Sequence, residues 1–229
     1  MSDAASSRRI VDLSHPIEAG MITYPGLPVP EIHAILDRAT SVGRYAPGVT
    51  FQIDLITLCG NTGTYMDSPF HRWEDGADLA DLPPERLIDL PAVRIDVTGS
   101  ASPAVDAGAF RGHQLEGRAV LVHTGFDRFW RTEAYLRDNP FLTRAAVELL
   151  VEAGAALVGI DSLNIDSTAD PERPAHSVLL AAGIPIVEHM TNLGAIPLEG
   201  ARFTAIPAPV RGTGTFPVRA LAVVPGDAT

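Results

Sequence analysis

A single cysteine, Cys59, stands among the 229 residues. It excludes an internal disulfide and any cluster of thiolate metal ligands, so a metal here would need imidazole and carboxylate donors. Positive charge is also scarce. There are 17 Lys and Arg against 28 Asp and Glu, giving a net charge of −11 and a pI near 4.9. Holding a phosphate backbone needs concentrated basic side chains, so nucleic acid is excluded as a partner. No run approaches the roughly 20 consecutive apolar residues of a membrane helix. The polar start, Met1 to Arg9, lacks the apolar core of a signal peptide. These absences point to a cytoplasmic protein that makes no membrane contact.

What remains is an ordinary globular composition, 46% hydrophobic and 20% charged, rich enough in apolar residues to fold alone. The length suits one core, so a single domain is expected over residues 9–229, behind a disordered leader at 1–8. Residues 18–30 contain YPGLPVP and Gly20, too many breakers for a helix or central strand; we read them as a loop over a cavity. Residues 50–58, TFQIDLITL, alternate apolar and polar side chains as a half-buried strand does. Shorter apolar runs at 9–13, 93–97, 119–123, 157–160, 184–187 and 221–224 read as sheet strands. A helix is expected over 144–153, capped by Thr143 and stopped by Gly154, and a shorter one over 177–182, stopped by Gly183. Helix, glycine and strand recur twice, which favours an α/β fold with helices packed on a mixed sheet.

The chemistry gathers in Asn61-Thr62-Gly63-Thr64-Tyr65-Met66-Asp67-Ser68-Pro69-Phe70-His71. Pro69 stiffens a turn between Asp67 and His71, and an Asp and a His fixed four residues apart can share a metal or divide metal binding from proton transfer. Two distant pieces join them. His176 begins the short helix, and Glu188 ends the strand IPIVE, where a carboxylate after four apolar residues requires a cation. That cation is either Zn²⁺ or Mn²⁺ shared with Asp67 and His176, or simply Arg173 or Arg211. Cys59, at the end of an apolar run, reads as a small core residue, with a nucleophile beside His71 as the alternative. His15, His33, His113, His123 and His189 read as hydrogen-bonding side chains of loops and strand ends, with His15 and His123 able to approach the cleft. The Gly212-Thr213-Gly214 segment lacks the ending of a phosphate-binding loop and reads as a turn.

These motifs resemble the cyclase family of metal-dependent amide hydrolases, which includes bacterial kynurenine formamidase and isatin hydrolase. The family signature H-x-G-T-H-x-D-x-P-x-H is met here as N-T-G-T-Y-M-D-S-P-F-H, and DLSHPIEAGMITYPG, LVGIDSLNID and GIPIVEHMTNL follow the family order. The resemblance implies a swivelling β/β/α fold, assembled as a homodimer or homotetramer. It implies metal binding by Asp67, His176 and Glu188, proton transfer by His71, and substrate contact by Tyr24. Asn61 and Tyr65 stand where the signature has two metal-binding histidines. One ion is therefore expected rather than two, with Asn61 and Tyr65 turned to the substrate as hydrogen-bond donors.

The implied reaction is hydrolysis of an amide-type C–N bond in a small aromatic or cyclic substrate. Two other readings fit the altered pair. One is a metal-independent lyase, isomerase or cyclase with Tyr65 as acid and His71 as base, and the other is a small-molecule binding protein without turnover.

Overall fold

The computed structural model describes residues 8–226. The leader expected at 1–8 lies outside them except for Arg8. In chain order the strands are β1 (Arg9–Asp12), β2 (Glu31–Leu36), β3 (Ile53–Thr57), β4 (Tyr65–Asp67), β5 (Leu90–Asp96), β6 (Ala104–Val105) and β7 (Ala119–His123). There follow β8 (Phe141–Leu142), β9 (Leu157–Ile160), β10 (Ile186–Glu188), β11 (Glu199–Thr204), β12 (Thr215–Pro217) and β13 (Leu221–Val224). The helices are α1 (Arg38–Ser41), α2 (Arg144–Glu152) and α3 (Pro174–Ala181).

Nine strands form one mixed sheet in the order β1-β13-β11-β5-β7-β9-β10-β4-β12. The middle four, β5, β7, β9 and β10, run parallel, and the outer strands on both sides pair antiparallel. Parallel strands buried on both faces read as unbroken apolar runs, which is why VLV in β7 and LVGI in β9 were legible. Successive side chains leave on opposite faces. Leu121 accordingly joins a core with Met66, Val187 and Phe203, whereas Val120 and Val122 join a second core with Leu150 and Leu179 from α2 and α3. The chain is thus α/β, with a mixed central sheet and flanking helices.

Thr143 caps α2 as expected, its side chain accepting from the Ala146 amide. The second helix starts three residues before the expected Ser177, at Pro174, whose fixed φ suits a first helical turn. His176 therefore sits inside the first turn. Residues 18–30 carry no strand or helix.

The expected half-buried strand at 50–58 is corrected in extent, place and burial. Only Ile53–Thr57 is strand, it pairs solely with β2 in a separate hairpin, and all five residues are exposed. Alternation reports a pleated segment with two unlike faces, but it does not say what covers the apolar one. Residues 65–67, just ahead of the turn expected between Asp67 and His71, are a strand of the main sheet. A strand of three residues is too short to show a period.

A candidate metal centre at the end of the sheet

Strand pairing aims the central side chains. In the β10–β4 register Glu188 lies opposite Tyr65, and Ile186 opposite Asp67. Directly opposed residues, and residues two apart, share a face. Tyr65, Asp67 and Glu188 therefore project from one face, the side on which Ile186 packs with α3. From α3 comes His176. One ligand atom each of Asp67, His176 and Glu188 lie within 4.8 Å of one another, and all three residues are buried.

The set is held from behind. His176 Nδ1 is 2.6 Å from Asp166 Oδ2. An ionised carboxylate only accepts, so Nδ1–H donates and Nε2 is turned to Asp67 Oδ2 (3.7 Å) and Glu188 Oε1 (3.9 Å). Asp166 also accepts from the Ala175 and His176 amides, fixing the start of α3. Glu188 Oε1 accepts from the Ile165 amide at 2.6 Å, and Oε2 accepts from the Tyr65 hydroxyl at 2.5 Å. Asp67 is different. Both its oxygens are buried and have no hydrogen-bond partner among the described residues.

The electrostatics follow from that crowding. Burial alone would lower the His176 pKa, but the hydrogen bond to Asp166 and the nearby charges of Glu188 and Asp67 outweigh it and push it up to about 10. Burial raises Glu188, with the charge of Asp67 adding to it and that of His176 opposing. Tyr65 is pushed well above its ordinary value by burial and by Glu188, so it keeps its proton. His71 is reached through a short 3₁₀ turn, Pro69–His71, which folds its Nε2 back to 3.9 Å from Asp67 Oδ1. With 36% of its side chain exposed it faces both Asp67 and the cleft. Burial lowers its pKa, and Asp67 opposes the shift.

Asp67, His176 and Glu188 thus fit a divalent ion. Their donors are hard carboxylate and borderline imidazole, a second carboxylate orients the His, and two buried oxygens of Asp67 await a cation. The alternative pairing of Glu188 with Arg173 or Arg211 does not occur. Arg211 instead meets Asp78 and Asp81, and Arg173 donates to Asn164.

A cleft of about 270 Å³ opens over the set, lined in part by Tyr24, Asn61, Tyr65, His71, His176 and Glu188. Tyr24 reaches it from the 18–30 loop. Asn61 is held by Thr215, whose hydroxyl donates to Asn61 Oδ1. Tyr65 departs from the expected donor to substrate, because its proton is spent on Glu188. Cys59 is half-buried, and its carbonyl accepts from Thr62. His123 lies against Arg94 and Asp96 at the parallel strand ends, and His33 is exposed beside Glu31. His15 stacks on Trp130, and the buried His189 ring contacts both Tyr65 and Trp130.

Sequence reasoning missed Asp166. The only signal was its place in LVGIDSLNID, which offers two aspartates and no way to choose the one facing α3. It also missed that Asp161 holds the turn after β7 through Thr124 and Gly125.

A buried carboxylate and imidazole cluster on a mixed α/β sheet defines an α/β protein with a candidate metal centre. More particularly, the chain belongs to the Cyclase family, whose model matches residues 11–167. It is similar to kynurenine formamidase of Bacillus cereus, with 27% identity over 212 residues, covering 92% of this chain and 95% of that protein. It is 30% identical over 217 residues to kynurenine formamidase of Salinibacter ruber, covering 93% and 96%. Among solved structures, isatin hydrolase A from Labrenzia aggregata, bound to benzyl benzoate, superposes with a TM-score of 0.83 at 24% identity over 95% of this chain and 94% of that one. A potential metal-dependent hydrolase with cyclase activity superposes at 0.78 with 25% identity, over 95% and 98%.

Proposed function

We propose that this chain is a metal-dependent hydrolase of an amide-type C–N bond in a small aromatic or cyclic substrate. One observation carries the reading: the three buried donors of Asp67, His176 and Glu188 converge, and Asp67 accepts no hydrogen bond among the described residues. The kynurenine formamidase and isatin hydrolase relatives support the same class. A zinc or manganese ion held there would supply polarisation of the amide carbonyl and a more acidic water.

The chain's own residues do the rest. Glu188 is locked by Tyr65 and Ile165, and His176 by Asp166, so two ligands keep their aim without an ion. His71, open to the cleft, takes a proton from the attacking water and passes it to the nitrogen as the C–N bond breaks. Tyr24 and Asn61 line the cleft against the substrate. With Asn61 and Tyr65 in the two signature positions, one ion is bound rather than two. We place the protein in the cytoplasm; no helix among the described residues is long and apolar enough to cross a membrane.

Elemental analysis of the purified protein after incubation with zinc and manganese tests the site. The expected result is about one ion per chain, lost in Asp67→Ala. No bound metal would overturn the reading. Loss of amide turnover in His71→Ala with metal retained would support the proton role, and unchanged turnover would remove it.

We further propose that the chain assembles as a homodimer or homotetramer through the β2–β3 hairpin. Ile32 and Ile56 mark one face of it and Ile53 and Leu55 the other, and all four are exposed. An isolated two-stranded hairpin is at best marginal in water. Its apolar faces gain a cover if a second copy lies against them.

A further inference from the structure

The cleft lining also includes two arginines, Arg72 and Arg173. Neither lies within salt-bridge distance of an Asp or Glu among the described residues, a state that Arg38, Arg44 and Arg118 share outside the cleft, whereas Arg144, Arg202, Arg211 and Arg219 are each paired. In a chain of net charge −11 carboxylates are plentiful. Even Glu172, the neighbour of Arg173, turns away to Arg144 at 2.8 Å.

Both guanidinium groups are nevertheless held. Arg173 donates from one Nη to Asn164 Oδ1 at 3.1 Å, and Asn164 Oδ1 is fixed in turn by the Asp166 amide. Arg72 donates from Nε to the Ser177 hydroxyl at 3.2 Å, and its guanidinium stacks 4.4 Å over the Trp73 ring. A guanidinium offers five N–H donors in a planar fork. Each arginine here spends one on a neutral partner and leaves the others free. The backbone of Arg173 sits at φ +48°, where Gly or Asn is at ease and Arg is not. The local geometry does not ask for this side chain, and the ring of His71 lies within its electrostatic reach.

We propose that the cleft takes an anionic substrate, a small amide that also carries a carboxylate, and that Arg173 with Arg72 at the rim is its counter-ion. The free fork matches a carboxylate bidentately. This rests on the amide-hydrolase reading for what reacts, but not for what binds.

Titration calorimetry with benzoate and benzamide as probes tests it on the zinc-incubated full chain and four variants. Benzoate should bind the parent at least about tenfold more tightly than benzamide, and Arg173→Asn should remove that preference. Asparagine suits the left-handed backbone, and Arg173→Gly serves as a second variant should Asn fail to fold. Arg72→Gln should weaken benzoate less. Asp67→Asn separates the two places a carboxylate could lodge: binding by the arginines survives it, and binding to an ion does not. The proposal is overturned if benzoate binds Arg173→Asn or Arg173→Gly as it binds the parent, if only Asp67→Asn abolishes binding, or if the parent shows no benzoate binding up to about 10 mM. Failure of the amide-hydrolase reading would show separately, as absence of metal and of turnover, with the benzoate preference intact.

Discussion

At the scale of single residues, the candidate centre depends on partners that touch no substrate. Asp166 fixes the tautomer and orientation of His176, and such outer partners typically govern metal affinity by 10–100-fold. Asp166→Asn should therefore weaken zinc binding by about that factor, measured by competition with a chromophoric chelator. Unchanged affinity would reduce Asp166 to a helix cap. Imidazole burial gives a second prediction. His15 is lowered from 6.5 to about 4 by burial, against the charge of Asp127, and its Nε2 has no hydrogen-bond partner among the described residues. Between those values the unfolded chain binds a proton that the folded chain refuses, so this residue costs stability as pH falls from 6.5 toward 4. His15→Phe keeps a ring against Trp130 and removes the titration. Its melting temperature relative to the parent should rise as pH falls through that window; a constant difference would show that His15 does not titrate as a buried base.

At the scale of elements, the β2–β3 hairpin and the start of α3 carry the contrast. The hairpin exposes apolar side chains on both faces, among them Ile35, 68% exposed, and no strand of the main sheet pairs with it. An Asp on such a surface is harmless to a monomer and costly once a second copy has desolvated it. Ile35→Asp combined with Leu55→Asp should shift the sedimentation of the protein to that of a monomer and leave its far-ultraviolet dichroism unchanged. Retention of the parent mass would move the interface elsewhere. The α3 start shows the opposite case. Pro174 begins the helix, Arg173 precedes it in the left-handed region, and Asp166 ties its first amides. One short helix end therefore delivers both His176 and Arg173 to the cleft.

At the scale of the whole molecule, a candidate centre whose residues come from β4, α3 and β10 would link metal binding to folding. The ligands converge only in the folded state, so an ion stabilises by mass action, about 2.7 kcal/mol at a hundredfold excess over Kd. Zinc or manganese should raise the melting temperature of the parent and not that of Asp67→Asn. In chelator the order should reverse, with Asp67→Asn melting at or above the parent, because the amide relieves a buried carboxylate that accepts no hydrogen bond among the described residues. Equal responses to metal in both proteins would place the ion elsewhere.

The sequence by itself determined the α/β class and the central strands, and it singled out Asp67, His71, His176 and Glu188 as candidates, which the fold gathers at one cleft. Those features are local: β7, β9 and β13 are short apolar runs between breakers, α2 has its cap and its stop, and a carboxylate closing an apolar run shows its need of a partner. Only the tertiary structure decided which groups meet. It chose Asp166 over Asp161, committed the Tyr65 proton to Glu188, made a strand of Tyr65–Asp67, and left β2 and β3 outside the sheet. The physical reason is that strand register and helix docking bring together atoms more than a hundred residues apart, Tyr65 and Glu188 among them. No local pattern of polarity records a partner at that distance.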